Sequence, residues 1–589
     1  MNMKRVLSYL KPYAGIYSLA GVLILLTTLA DLALPGIMKD IINMGIGQGD
    51  TGFIIKQGLL MLSITLLNLL LWFAASYLGA KASFRFARDL RKDAFSRVIG
   101  SSVDQADTIG TASLITRTTN DIAALEMISF RILRMGTIAP FTCIGGIFLA
   151  FQINADISTV FVLAVPLLAL CCWFVIKKAT PVFTATFPKT DAVNRVIREN
   201  LTGIRVVRAF NKDVAEKSRF DSANDDLTQT NIKAQHIMAW LSPLTALVMN
   251  LTILAILYFG AVKIDTDTFW VGDLIALTQY AALILGAFMR LTMVFQMVPR
   301  SRAAATRITE VLKMKDTLKD PENEAAKEPK DNSISFLDVS FGYGNAVSPV
   351  LDNISFTADS GKTTAIIGGT GSGKSTIMQL ILRFYDVQSG EICVGGVNVR
   401  NIKKEKLRSM IGYAAQKAEL FTGSIADNIS YGCKEITEEE MRKTAKIAQA
   451  EKFINAQEDG YNALISQGGT NFSGGQKQRL SVARALARKS PFLLFDDSFS
   501  ALDFKTDAEL RKAMRQNNQG TTILIVAQRV ATVMDADKIV VLNDGKVEDV
   551  GTHRNRHSAY CLYYFIRTQY CSAVFNGKYL SKNCSHNAW

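Results

Sequence analysis

The stretch GGTGSGKST, residues 368–376, gathers four glycines, one lysine and four hydroxyl side chains into nine positions. Glycines let a backbone turn so that its N–H groups point inward, and a helix opening at Lys374 adds positive potential, so this loop is suited to hold phosphate. Lys374 has the reach and charge for the outer phosphates, and the Ser375 hydroxyl is a hard oxygen donor for Mg²⁺. Downstream, LLFDDSFSALD (493–503) ends a hydrophobic run in two acids, Asp496 and Asp497. Between the two lies FSGGQ (472–476), whose Ser473, Gly474, Gly475 and Gln476 open another helix with N–H groups free for an anion.

These three motifs in this order resemble the ATP-binding cassette of ABC transporters. The resemblance implies ATP and Mg²⁺ as ligands. It makes Gly368, Gly369, Thr370, Gly371, Ser372, Gly373, Lys374, Ser375 and Thr376 the phosphate loop, and Asp496 the Mg²⁺-binding acid. It makes Gln416, in YAAQKAELF, the glutamine that senses the metal, and Tyr343, in VSFGYG, the aromatic that stacks on adenine. It also implies that Ser473 to Gln476 complete an ATP site on a second cassette, so that sites form only on dimerisation.

Two positions depart from the family pattern. Asp497 stands where a Glu orients the attacking water, and Gln528, in VAQRV, stands where His is usual. Glutamine can donate a hydrogen bond but carries no positive charge. The shorter Asp holds its carboxylate about 1.5 Å short of a Glu's reach, and misplacing a catalytic group by about 1 Å can cost on the order of 10²-fold. A nearly intact signature beside altered hydrolytic groups resembles the degenerate-site subunit of a bacterial heterodimeric exporter. Its own site would bind ATP and hydrolyse it weakly, with Asp497, Gln528 and Gln416 as the catalytic positions.

The elements that must position this chemistry are only part of the chain. Of 589 residues, 49% are hydrophobic and 20% charged, which is too apolar for a chain of soluble domains alone. Six segments near 16–37, 57–79, 135–154, 157–177, 241–262 and 273–298 are long and apolar enough to span a bilayer. The formal charge is +14, and Lys and Arg are dense in the long stretches after the second and fourth spans, whereas the loops placed outside hold only Lys39, Lys56 and Lys263. That asymmetry follows the positive-inside rule and argues against a nucleic-acid partner. The long stretches read as helices continuing into the cytosol. The resemblance implies that around 103–111 and 210–216 they dock on the cassette near Gln416. Eight scattered Cys, with no CxxC pair, fit a reducing compartment.

The fold class expected is an α-helical membrane domain of six spans with long cytosolic extensions, followed by an α/β P-loop nucleotide-binding domain. The divisions are 1–313 for the membrane domain, 314–332 for a charged linker with Pro321 and Pro329, 333–552 for the cassette, and 553–589 for an atypical tail. The tail brings together His553, His557, Cys561, Cys571 and Cys584, but their spacing matches no zinc pattern. Within the spans, Asp31 and Arg290 lie at different depths and are not expected to pair, while Asn68, Asn250, Gln279 and Gln296 read as interhelical hydrogen-bond groups. The function expected is ATP-driven export of amphipathic small molecules, drugs or lipids across the bacterial plasma membrane, with a second half-transporter chain and the lipid bilayer as partners. Two alternatives stay open: a homodimeric lipid or drug exporter with two slow sites, and an ATP-gated regulator or channel. Six spans exclude the soluble cassette proteins of DNA repair or translation.

Overall fold

The computed structural model of the chain describes residues 2–265, 269–321, 329–344 and 348–553. His557, Cys561, Cys571 and Cys584 lie outside these residues, as does the side chain of Gln296. Among the described residues no cluster of His, Cys, Asp and Glu is placed to hold a metal. Two compact units form: Met1–Gly100 with Ile109–Met314, and Ser101–Thr108 with the chain from Lys315 onward.

The first unit is helical. Its long elements are α1 (Ala14–Asp40), α2 (Thr51–Ile99), α3 (Asn120–Ile153), α4 (Ala155–Thr202), α5 (Asp213–Ala239), α6 (Leu241–Asp265) and α7 (Val271–Lys313). They supply six helical segments long and apolar enough to cross a membrane, with α5 and α6 contributing to the same one. At 1.5 Å per residue α2 is about 74 Å long, more than twice a bilayer's hydrocarbon core. It therefore runs well past any membrane, as the charged stretch after the second span requires. Asp50 caps α2 by accepting from the Phe53 N–H at 3.0 Å, and Asn154 caps α4 in the same way from Ile157 at 3.1 Å. That cap lets the third and fourth spans meet at a single residue.

Leu66, Leu69, Leu70 and Phe73 of α2 are each more than half exposed, a face that water would penalise and hydrocarbon would not. Inside the unit, small residues allow close helix packing. A Cβ at Gly146 of α3 would meet Ile284 Cγ1 of α7 at 2.8 Å, and one at Gly145 would meet Leu32 Cδ1 of α1 at 2.6 Å. Tyr280 Oη donates to the Leu32 carbonyl at 2.9 Å, and Asn68 Nδ2 donates to Asp31 Oδ1. Asp31 is thus answered by α2, as an acid inside a span should be.

The second unit carries two main sheets. The strands are β1 (Ile334–Phe341), β2 (Leu351–Ala358), β3 (Thr363–Gly368), β4 (Ser389–Val394), β5 (Val397–Asn398), β6 (Ile411–Ala414), β7 (Phe492–Asp496), β8 (Thr522–Val526), β9 (Lys538–Asn543) and β10 (Lys546–Gly551). A four-stranded antiparallel sheet runs β2-β1-β4-β5, and a six-stranded sheet runs β10-β9-β3-β8-β7-β6. Within the larger sheet β9, β3, β8, β7 and β6 are parallel and β10 is an antiparallel edge. The runs FLLFD and TILIV are wholly buried, as strands covered on both faces must be.

The segment 101–108 belongs to this second unit. Gln105 Oε1 accepts from the Lys315 N–H at 2.9 Å, Thr317 Oγ1 donates to Ser102 Oγ at 3.0 Å, and Tyr385 Oη donates to Asp107 Oδ2 at 3.4 Å. These bonds fasten the segment to Lys315, Thr317 and Tyr385.

One ion pair ties the cytosolic part of the first unit. Arg307 grips Asp121 through two bonds, Nε to Oδ2 at 2.7 Å and Nη2 to Oδ1 at 2.5 Å, with the Asp121 side chain 7% exposed and that of Arg307 45%. Asp121→Ala leaves the guanidinium without its acid. After allowance for solvent at the half-exposed arginine, the expected loss is about 1–2 kcal/mol, read as a lower thermal midpoint of the detergent-solubilised chain.

Candidate functional site

Parallel order brings the chemistry together. Strand β8 lies between β3 and β7, with Val526 opposite both Ile366 and Asp496. The carboxyl ends of these strands therefore share one edge, where ligands of open α/β sheets bind. The phosphate loop leaves β3 at Gly368, Asp496 and Asp497 close β7, and Gln528 follows β8 by two residues.

The loop requires its glycines at two positions. Gly373 has φ +94°, and a Cβ there would meet Leu351 Cδ2 at 2.4 Å, while a Cβ at Gly368 would meet the Leu542 carbonyl oxygen at 2.3 Å. Helix α8 (Lys374–Ile381) starts at the end of this loop. Lys374 folds back, its Nζ donating to the carbonyls of Gly368 at 2.9 Å and Gly369 at 2.6 Å. Burial pushes its ammonium below the usual lysine range, and Asp497 and Asp496 oppose that shift. Ser375 Oγ donates to Asp496 Oδ1 at 2.9 Å, and burial holds the Asp496 carboxyl above its ordinary value despite that bond.

These residues fit a triphosphate and a divalent cation. The loop's lysine and hydroxyls suit phosphate oxygens, and Ser375 Oγ with Asp496 Oδ1 is a pair of hard oxygens of the kind Mg²⁺ takes alongside phosphate. Beside them opens a cleft of about 440 Å³, lined by Ser375, Gln379, Tyr413, Gln416, Arg484 and Asp496 among others.

The altered positions meet each other. Gln528 Nε2 donates to Asp497 Oδ2 at 3.0 Å. Burial raises the Asp497 carboxyl, with Gln416 and Lys374 pulling it back. Asp497 has φ +47°, a left-handed conformation that Asp tolerates better than most residues. Its backbone is pinned there by the N–H bond to the Val526 carbonyl at 2.9 Å.

The signature opens helix α9 (Gly474–Ala487). Ser473 Oγ accepts from the Gln476 N–H at 3.3 Å, and Gln476 Oε1 accepts from the Ser473 N–H at 2.8 Å. The Gln476 side chain is thus spent on the cap. Among the described residues, the bonds of Ser473 and Gln476 stay within this helix start and none reaches the phosphate loop.

Tyr343 lies beside the phosphate loop. Its hydroxyl bonds Thr376 Oγ1 at 3.0 Å and Gln379 Oε1 at 2.8 Å, and its ring meets Phe341 and Tyr385 edge to face.

Three supports escaped sequence reading. Gln478 of α9 accepts from the Ala501 N–H at 2.9 Å and donates to Ser500 Oγ at 3.2 Å. Ser498, fully buried, donates to the Ala414 carbonyl at 2.8 Å, and Arg529 donates to the carbonyls of Ser500 and Leu502. Together they fix the loop after Asp497. Only the placement of Gln478 two residues beyond the signature and of Arg529 beside Gln528 hinted at this.

A helical unit with six segments fit to span a bilayer, joined to a P-loop α/β unit with a signature helix, defines an ABC transporter. Residues 17–288 match the model of the ABC transporter transmembrane region and residues 351–500 that of the ABC transporter cassette, so the chain belongs to the ABC transporter family. It is 38% identical over 551 residues to an ABC transporter ATP-binding protein of Mycobacterium tuberculosis, covering 92% of this chain and 94% of the relative. It is 35% identical over 561 residues to another from Bacillus subtilis, covering 95% and 97%. At 29% over 560 residues it is similar to the ATP-dependent lipid A-core flippase of Vibrio vulnificus, covering 94% of each. Its fold is similar to that of a bacterial Atm1-family ABC exporter with ATP bound, with a TM-score of 0.78, 24% identity, and 91% and 95% of the two chains covered. The protein is a multi-pass protein of the bacterial cell membrane with its cassette in the cytoplasm, and the cassette is of the ATP-hydrolysing transporter type.

Gly373→Ala tests the cradle. The added methyl meets Leu351 and forces a left-handed φ on alanine, so ATP affinity should fall at least about tenfold while the chain stays folded, since the strain is local and of order 1–3 kcal/mol. Equilibrium ATP binding with a parallel thermal melt checks both halves of that outcome.

Proposed function

We propose that this chain is one half of a dimeric ABC exporter that moves amphipathic small molecules, drugs or lipids, and that its own ATP site binds nucleotide firmly but hydrolyses it slowly. Residues 1–313 serve as the membrane domain and 333–552 as the cassette. The phosphate loop from Gly368 to Thr376 holds the phosphates, and Ser375, Asp496 and Gln416 are the groups for Mg²⁺. When bound, the cation would neutralise charge that develops on the phosphates. Ser473, Gly474 and Gly475 complete the competent site of a partner half-transporter.

The observation that carries the reading is the bond from Gln528 Nε2 to Asp497 Oδ2 at 3.0 Å. A water-orienting carboxylate must accept a proton from water, yet this one is engaged by the Gln528 amide and sits a methylene back from a Glu's reach. Gln528 is neutral and adds no charge where negative charge builds on the γ-phosphate. The exposed start of α9, with no bond to its own phosphate loop, suits a site shared with a second chain.

The experiment is ATP turnover of the purified chain alone, in detergent or vesicles, against two variants. Asp497→Glu by itself should gain little, because Gln528 stays and Glu is costlier at the left-handed φ. Asp497→Glu with Gln528→His should raise turnover by at least about tenfold. Fast turnover by the unaltered chain, matching the double variant, would sink the slow-site reading. Co-purification of a second, different half-transporter supports a heterodimer, and a stable self-dimer with two slow sites favours the homodimeric exporter instead.

A further inference from the structure

The long helix α4 carries a face that the nucleotide chemistry does not use. Leu168, Cys172 and Val175 are buried with Leu241 and Val248 of α6, so one side of α4 packs into the unit. The other side is bare. Leu163, Leu167 and Leu170 are each 48% exposed or more, and Trp173 and Phe174 continue that row at more than half exposed. The row ends in Lys177 and Lys178, both exposed. Each ammonium lies over the ring four residues back, 4.6 Å from the Trp173 centroid and 4.5 Å from the Phe174 centroid. The attraction of cation to ring restrains two long side chains next to each other. No Asp or Glu occurs between residues 157 and 190, and among the described residues no ion pair includes either lysine.

The depth of this pair follows from a contact at the other end of the helix. Asp156, in the first turn of α4, pairs at 2.5 Å with Lys263, near the end of α6, so the outer ends of the two helices are level. Lys177 lies about 32 Å from Asp156 along α4, and Trp240, just before α6, lies about 35 Å from Lys263. A hydrocarbon core is about 30 Å thick, so both residues reach the cytoplasmic boundary together. Trp240 is 65% exposed there, as aromatics at headgroup level are. The bare leucines therefore lie at the depth of acyl chains and the two ammoniums at the depth of phosphates. A second copy of this chain is poorly suited to cover them, because its six spans hold only Asp31 and Asp273 as acids, both nearer the outer ends. An anionic lipid answers both charges with one phosphate.

We propose that Lys177 and Lys178, held by Trp173 and Phe174, form a binding site for an anionic phospholipid of the cytoplasmic leaflet. The phosphate sits between the two ammoniums, and an acyl chain lies along Leu170, Leu167 and Leu163. A zwitterionic headgroup gains less, because its own cation is repelled by the lysines.

The test uses the full chain, purified and stripped of lipid in detergent, with phosphatidylglycerol and phosphatidylcholine of the same acyl chains as probes. Native mass spectrometry reads the dissociation constant of the first lipid retained. Lys177→Gln with Lys178→Gln should weaken phosphatidylglycerol at least about tenfold and move phosphatidylcholine less than about twofold. Trp173→Leu with Phe174→Leu keeps both charges but removes the rings that hold them, and should weaken phosphatidylglycerol about threefold. Arg195→Gln with Arg198→Gln removes two exposed charges about 27 Å further along α4 and should change neither lipid. Unchanged phosphatidylglycerol affinity in the lysine variant overturns the proposal. So does an equal loss in the arginine variant, which would mean net charge alone, or an equal loss of phosphatidylcholine, which would mean chain contacts alone. A changed oligomeric state in the lysine variant, with phosphatidylglycerol binding kept, would make this face a protein interface and sink the lipid site.

Discussion

Burying an ammonium between two carboxylates at the end of a parallel sheet is the constraint on which this cassette is built. Lys374 is 7% exposed, Asp496 3% and Asp497 8%. Charges so placed are tolerated only when each finds partners. Here the lysine is answered by loop carbonyls, Asp496 by Ser375, and Asp497 by Gln528. Glycine at 368 and 373 follows from that packing, because a side chain at either position would collide with Leu542 or Leu351.

The same constraint explains why two substitutions at distant positions act as one. Asp497 follows β7 and Gln528 follows β8, neighbouring strands in register, so their side chains meet. A shorter acid and a neutral amide satisfy one another and settle into a closed hydrogen-bonded set. A longer acid with an imidazole would leave a carboxylate aimed at water and a charge aimed at phosphate. The pair is a closed arrangement held by the Gln528 Nε2 to Asp497 Oδ2 bond.

The membrane unit answers a different demand. Its helices leave Leu and Phe faces bare and bury small residues such as Gly145 and Gly146 between α3, α1 and α7. In hydrocarbon no hydrophobic drive pulls helices together, so close backbone approach and a few polar contacts do that work. Asn68 with Asp31 and Tyr280 with the Leu32 carbonyl are contacts of that kind.

Local chemistry made much of this legible from the sequence. Runs of apolar residues long enough to span, the Gly-rich loop before a helix and the acidic pair after FLLF each carry their meaning in a few consecutive residues. So do the departures at Asp497 and Gln528, because a missing methylene or imidazole is visible without coordinates. Other features belong to pairs far apart in the chain, and only the tertiary structure decided them. The bond between residues 497 and 528 needed strand order, and the turning of Tyr343 onto Thr376 and Gln379 needed the β1 end set against α8. The fastening of 101–108 to Lys315, Thr317 and Tyr385 needed the chain to return after more than two hundred residues. Spacing along a chain reports what one element can do, whereas the meeting of two elements depends on the sheet order and helix packing of everything between them.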